Sequence, residues 1–149
     1  MKRRLHPLVW MLIGFVLMLG VSLWRVDSTH FAIRNVAKDE VSSMINQRRT
    51  FFLQVSKQGC MYCETLHELE ERSKRLGGTV VYELEFPENP SEDERQWLED
   101  MLPHFDYYPA LFIVRADEIV CVEVNDLSEF DEEIVPQIIE ANGGNHEGQ

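Results

Sequence analysis

The feature that most constrains this chain is Gly59-Cys60-Met61-Tyr62-Cys63, which stands between two stretches of different character. Before it, Thr50-Phe-Phe-Leu-Gln-Val-Ser56 is apolar, aromatic and β-branched and too short for a helix, so it reads as a buried strand. After it, Glu64 to Leu76 is built of good helix formers, and Gly77-Gly78 stands where a helix most often stops. The local order is strand, Cys-x-x-Cys, helix. Two cysteines at i and i+3 in a first helical turn bring their Cα atoms to roughly 5 to 6 Å, inside the range a disulfide tolerates. The pair can therefore open and close with little backbone movement.

The rest of the chain supplies compatible elements. Phe31-Ala-Ile33 reads as a short strand, and Val36, Val41, Met44 and Ile45 recur at helical spacing, which predicts a helix from about Val36 to Arg48. Val80 to Phe86 alternates and is β-prone, then breaks at Pro87-Glu-Asn-Pro90. Ser91 with Glu94 three residues later is a capping-box pattern opening a helix that holds Trp97, Leu98, Met101 and Leu102. Ala110 to Val114 and Ile119 to Val124 are two strands joined by a turn short enough for an antiparallel hairpin. A last helix carries Ile134, Val135, Ile138 and Ile139, with Pro136 confined to its first turn or kinking it. The order β-α-β-α-β-α-β-β-α predicts an α/β fold: a mixed sheet with helices on both faces. Residues 31–141 form that domain, and 142–149 read as a disordered polar tail.

Charge divides the chain in two. Four of the 14 basic residues (Lys2, Arg3, Arg4 and Arg25) fall in the first 25 positions, where there is no acid. From Val26 onward 10 basic residues face 26 acidic ones, a net of -16 that repels a phosphate backbone and excludes nucleic acid as an expected partner. Between Arg4 and Arg25, residues 5–24 carry no formal charge, and 20 helical positions span roughly 30 Å of hydrocarbon. Residues 1–25 therefore read as a basic stub and a transmembrane signal anchor, followed by a connector over 26–30. The basic stub places the N-terminus in the cytoplasm and the domain outside it. Two other readings of the run are a cleaved signal peptide, for which Gly20-Val-Ser22 is a weak site, and a helix buried in a soluble protein. At 149 residues the chain has room for one domain of ordinary size, and three cysteines are too few for a disulfide-stapled scaffold.

Cys60, at the helix start, faces unpaired amide N–H groups and the positive end of the helix dipole. Both favour thiolate over thiol and lower a cysteine's ordinary pKa of about 8.5. It is the expected nucleophile, and Cys63, one turn in, the resolving thiol. Lys57 would reinforce the thiolate and Glu64 would oppose it. The same pair could instead hold zinc, close a permanent structural disulfide, or stay as inert thiols. Zinc lacks partners, because no second Cys-x-x-Cys or His pair completes four ligands, so no metal is expected. A loop this tight adds little stability as a structural bridge. Cys121 reads as a small buried hydrophobe, His67 as an exposed helix residue and Gln54 as a satisfied polar group.

With these stretches in place, the chain resembles the thioredoxin-fold thiol–disulfide oxidoreductases from about Phe31 to Ala141. The likeness is carried by Phe51-Phe-Leu-Gln-Val running into Cys60-Met-Tyr-Cys63, by Leu84-Glu-Phe-Pro-Glu-Asn-Pro90, by Tyr108-Pro109-Ala-Leu-Phe-Ile, and by Glu118-Ile-Val-Cys-Val-Glu-Val-Asn-Asp-Leu-Ser128. The resemblance implies a thioredoxin-like sheet, a cis bond before Pro109, and substrate docking along Tyr108 and Pro109 with Met61 and Tyr62. It implies no cofactor. The chain departs from reducing thioredoxins in carrying Gln54 where they have a buried carboxylate and Gly59 where they have Trp. The inner pair Met61-Tyr62 matches neither the Gly-Pro of reducing members nor the Pro-His of periplasmic oxidases, and it shares Tyr62 with the Cys-Pro-Tyr-Cys of glutaredoxins.

The expectation is a membrane-anchored, extracytoplasmic oxidoreductase with secreted or membrane-attached proteins or peptides as substrates and a redox partner protein. In size and layout the chain is also similar to the anchored thioredoxin-like proteins that accompany bacteriocin export. The alternative is a non-catalytic thioredoxin-like binding module for an export system.

Overall fold

The computed structural model describes residues 30–124 and 126–143. The expected anchor at 5–24 lies outside them, and among the described residues no helix is long and apolar enough to cross a membrane. The elements are β1 (Ala32–Asn35), α1 (Lys38–Asn46), β2 (Phe51–Lys57), α2 (Met61–Arg72), β3 (Val80–Phe86), α3 (Glu92–Met101), β4 (Ala110–Val114), β5 (Ile119–Val122) and α4 (Val135–Gly143). The five strands form one sheet in the order β1-β3-β2-β4-β5. The first three are mutually parallel, β4 runs antiparallel to β2, and β5 runs antiparallel to β4. Helical crossovers α1 and α2 impose the parallel part. The Arg115–Glu118 turn, closed by a backbone bond of 2.8 Å, imposes the hairpin.

The sheet buries both faces. Phe51, Leu53 and Val55 of β2 join Leu84 and Phe86 of β3 beneath Val41 and Met44 of α1 and Leu98 of α3. Phe52 and Val81 point the other way, to Leu66 of α2 and Ile138 and Ala141 of α4. Strand β2 thus has no solvent side, which is why it reads as a continuous apolar run. Each of its fully buried Phe and Leu side chains contributes about 1.5–3 kcal/mol by leaving water.

Strand β5 stops at Val122 rather than Val124, α1 is shorter than expected at both ends, and three further boundaries differ from the sequence pattern. The helix after the cysteines ends at Arg72: Ser73 leaves helical geometry and a 3-10 turn, Lys74–Leu76, follows. That turn swings Leu76 fully into the core, while the Ser73 hydroxyl donates to Asp131 across the helix layer. Before α4 the chain makes a 3-10 turn (Leu127–Glu129) and a π turn (Phe130–Ile134). Pro136 then falls second in α4, directly after that π turn. Helix α4 also continues to Gly143, so Asn142, read in the sequence as the start of the tail, lies inside it. The capping box at Ser91 is present in both halves, with the hydroxyl accepting from the Glu94 N–H and the Glu94 carboxylate accepting from the Ser91 N–H.

Candidate active site

Cys60 and Cys63 meet where β2 hands over to α2. Lys57 ends the strand, and Gly59, at φ +71°, makes the turn that only glycine adopts without strain. A Cβ there would meet the Glu88 side chain at an ordinary 3.9 Å, so the constraint lies in the backbone and not in space. The turn delivers Cys60 to the N-cap of α2. Its Sγ accepts a hydrogen bond from the Cys63 N–H at 3.2 Å, the bond a capping serine would otherwise accept. The two cysteines are joined in a disulfide with Cα atoms 5.3 Å apart. Cys63 is 3% exposed, so the outer sulfur is Cys60.

On one side of the pair lies an open groove of about 550 Å³, lined by Tyr62, Tyr107, Tyr108, Pro109, Val124, Asp126 and Leu127. The Tyr108-Pro109 peptide bond is cis. Of the residues assigned to docking, Tyr62, Tyr108 and Pro109 line this groove. Met61 does not; it precedes Tyr62 in the chain and is the most exposed large apolar residue described, at 69%, against 63% for Tyr62. Lys57 lies over the Tyr108 ring, 5.5 Å from its centroid, and Phe105 packs edge-on against the same ring. Burial, with a smaller contribution from Glu94, raises the Tyr108 phenol above its ordinary value.

On the other side a crevice of about 90 Å³ is lined by Cys60, Cys63, Lys57, Glu64, His67 and Glu85, among others. Beneath it lies polar machinery that the sequence pattern hides. Gln54 is fully buried and stands in register with Glu83 on β3, to which its Nε2 donates at 3.4 Å, while its Oε1 has no partner. Gln54 is therefore only partly satisfied. The same Glu83 Oε1 accepts from the Ser56 hydroxyl at 2.7 Å and bonds His67 Nε2 at 2.7 Å. His67 is half-buried against the sheet rather than an exposed helix residue, because α2 turns the residue four after Cys63 towards β3. The buried carboxyl group that Gln54 does not supply is thus supplied from the adjacent strand.

Glu70, one turn beyond His67, is 1% exposed, and neither of its carboxyl oxygens has a partner. Burial first, then the charges of Glu83 and Glu71, pushes its pKa up to about 8. Cys121 packs half-buried on β5, its thiol raised chiefly by burial. Among the described residues no group of three or more His, Cys, Asp or Glu side chains is arranged to hold a metal ion.

Strand order, helices on both faces, a disulfide at the N-cap of α2 and a cis proline lining the adjacent groove define a thioredoxin-like fold carrying a Cys-x-x-Cys pair. Solved structures similar to the chain include the J-Trx1 fragment of ERdj5, at 18% identity over 73% of this chain and 51% of that one, with a TM-score of 0.49. Another is the short form of thioredoxin f from spinach chloroplast, at 15% identity over 73% of this chain and 92% of that one, with a TM-score of 0.49. The chain spans about half the length of the ERdj5 fragment. No family model matches the chain, and no curated protein matches it.

Proposed function

We propose that this chain is a membrane-anchored thiol–disulfide oxidoreductase that faces an extracytoplasmic compartment and acts on secreted or membrane-attached proteins or peptides. The observation that carries the reading is the Cys60 sulfur at the tip of α2, accepting the Cys63 N–H and bridged to Cys63 beside an aromatic groove. A helix N-terminus favours the thiolate, and the same N–H can serve a reduced sulfur as it serves the bridged one.

In the reducing direction the Cys60 thiolate attacks one sulfur of a client disulfide. A Cys60–client bond forms, and the other client sulfur leaves as a thiolate and takes a proton. Cys63 then attacks Cys60, the Cys60–client bond breaks, and the second client sulfur leaves. The client gains two electrons and the cysteine pair loses two. Run backwards, the same steps oxidise a client dithiol, and a redox partner protein resets the pair. Tyr62, Tyr108 and Pro109 would hold an extended client segment against Cys60, with the exposed Met61 adding apolar surface beside Tyr62.

The anchor rests on residues 5–24, uncharged and long enough to span hydrocarbon, and the orientation on Lys2, Arg3 and Arg4. Outside the cytoplasm disulfides persist, so exchange has clients there.

Insulin reduction and refolding of a scrambled disulfide protein, run on wild type and Cys60→Ser, test the chemistry. Loss of both activities in the variant is expected, and activity unchanged by the substitution removes the enzyme reading. Cys63→Ser is expected to hold clients as mixed disulfides on Cys60 in cells, whereas a binding module yields none. Alkaline extraction of membranes should leave the chain in the pellet, and release into the supernatant refutes the anchor.

A further inference from the structure

We propose that His67, held by Glu83, is the group that takes the proton from Cys63 when that thiol resolves a mixed disulfide on Cys60. The inference rests on the reading of Cys60 and Cys63 as an exchanging pair, and adds a catalytic residue and a positioning residue to it.

The geometry assigns the atoms. Glu83 Oε1 is the meeting point of three groups, of which the Ser56 hydroxyl and the Gln54 amide are donors. The third, His67 Nε2, 2.7 Å away, therefore carries a ring proton, so the neutral tautomer of the ring has its lone pair on Nδ1. His67 lies one helical turn beyond Cys63 on the same face of α2, and the two side chains line one crevice with Cys60. The His67 side chain keeps 34% of its surface exposed, so a proton accepted there can pass on to water, while the Glu83 side chain is 7% exposed and held by two donors of β2. Within its own helix His67 is flanked by Cys63, Glu64, Glu70 and Glu71; β2 presents Gln54, Ser56 and Lys57 to the same region, and β3 presents Glu83 and Glu85. Glu70 has no hydrogen-bond partner and no place in the crevice, and Glu64 and Glu85 line the crevice without a bond to His67. His67 is the one imidazole in the group.

In the step itself the Cys63 S–H bond breaks and its proton moves to His67 Nδ1, directly or through one water. The resulting thiolate attacks the Cys60 Sγ, the Cys60–Cys63 bond forms and the Cys60–client bond breaks. The client sulfur leaves with the electron pair. The imidazolium then gives its proton to that sulfur or to water, and Glu83 holds the ring in place throughout. The two electrons gained by the client disulfide come from the cysteine pair, so no further co-reactant is required.

A symmetric aromatic disulfide that releases a coloured thiolate separates the two steps. On the reduced full chain, in a Cys121→Ala background, the first release reports attack by Cys60 and the second reports resolution by Cys63. In His67→Gln the ratio of second to first rate should fall by about 10²-fold at neutral pH, the size of a lost general base. The pH dependence of the second release should change shape, and imidazole added to the buffer should restore part of the rate. Glu83→Gln keeps an acceptor for Nε2 and should lose less. An unchanged ratio, an equal slowing of both releases, or a loss that imidazole does not rescue overturns the assignment to His67. A first release no faster than that of free cysteine overturns the reading of Cys60 instead, and the second release still reports on His67 separately.

Discussion

The backbone N–H of Cys63 points at the Sγ of Cys60, 3.2 Å away, so a first-turn donor of α2 is aimed at the outer sulfur of the pair. After reduction that donor and the helix dipole both act on Cys60. Alkylation of the reduced protein by iodoacetamide across pH 5 to 9 should therefore show Cys60 modified faster than free cysteine at the acid end. Cys63, at 3% exposure, should lag behind it. Peptide mapping after short exposure reads both. Equal acid-end rates for Cys60 and free cysteine would leave the helix terminus without its assigned effect.

Glu70 makes stability depend on pH with a definite sign. Its pKa in the folded protein is pushed up to about 8 from an ordinary 4.5, mainly by burial. Below the ordinary value both states hold the proton and the group is neutral in effect. Between about 4.5 and 8 the unfolded chain releases it while the folded chain retains it, so stability falls as pH rises through that window. Glu70→Gln removes the titration. Urea midpoints at pH 5 and pH 8 should show the variant's advantage over wild type growing by a few kcal/mol across the interval. A constant difference between the two proteins would mean that Glu70 is ionised in the fold.

Asn142 ties the last helix to the sheet. Its Oδ1 accepts from the Val80 N–H at 2.8 Å, and its Nδ2 donates to the Val80 carbonyl at 3.1 Å and to the Ile138 carbonyl at 2.8 Å. Val80 opens β3, so the clamp registers α4 on the strand that carries Glu83. Asn142→Ala should cost about 1 to 3 kcal/mol, because a part-buried N–H at the strand's start loses its partner. Chemical denaturation measures this, and a loss within experimental error would show that water replaces the amide.

The main elements were legible because their signals are local. A capping box needs only Ser91 and Glu94, a hairpin only the turn after Val114, and a buried strand announces itself as Phe51-Phe-Leu-Gln-Val. Ser73 and Asn142 were not, since what ends one helix and extends the other is a contact with Asp131 and with Val80, each more than 50 positions away. Glu83 illustrates the same limit at the site. Nothing local in Val80 to Phe86 marks Glu83 as buried, yet β3 is flanked by β1 and β2 and covered on both faces, so the side opposite Leu84 is also inside.

By itself the sequence determined the two sulfurs, their spacing, the helix that begins at them and the strand that leads in, because these follow from residue types within one turn or one pleat. Only the tertiary structure decided that His67, Ser56 and Gln54 converge on Glu83 and that Glu70 is shut away from water. Pairing between parallel strands and the rotation of α2 over them are fixed by packing the whole core, and no stretch of chain encodes them alone.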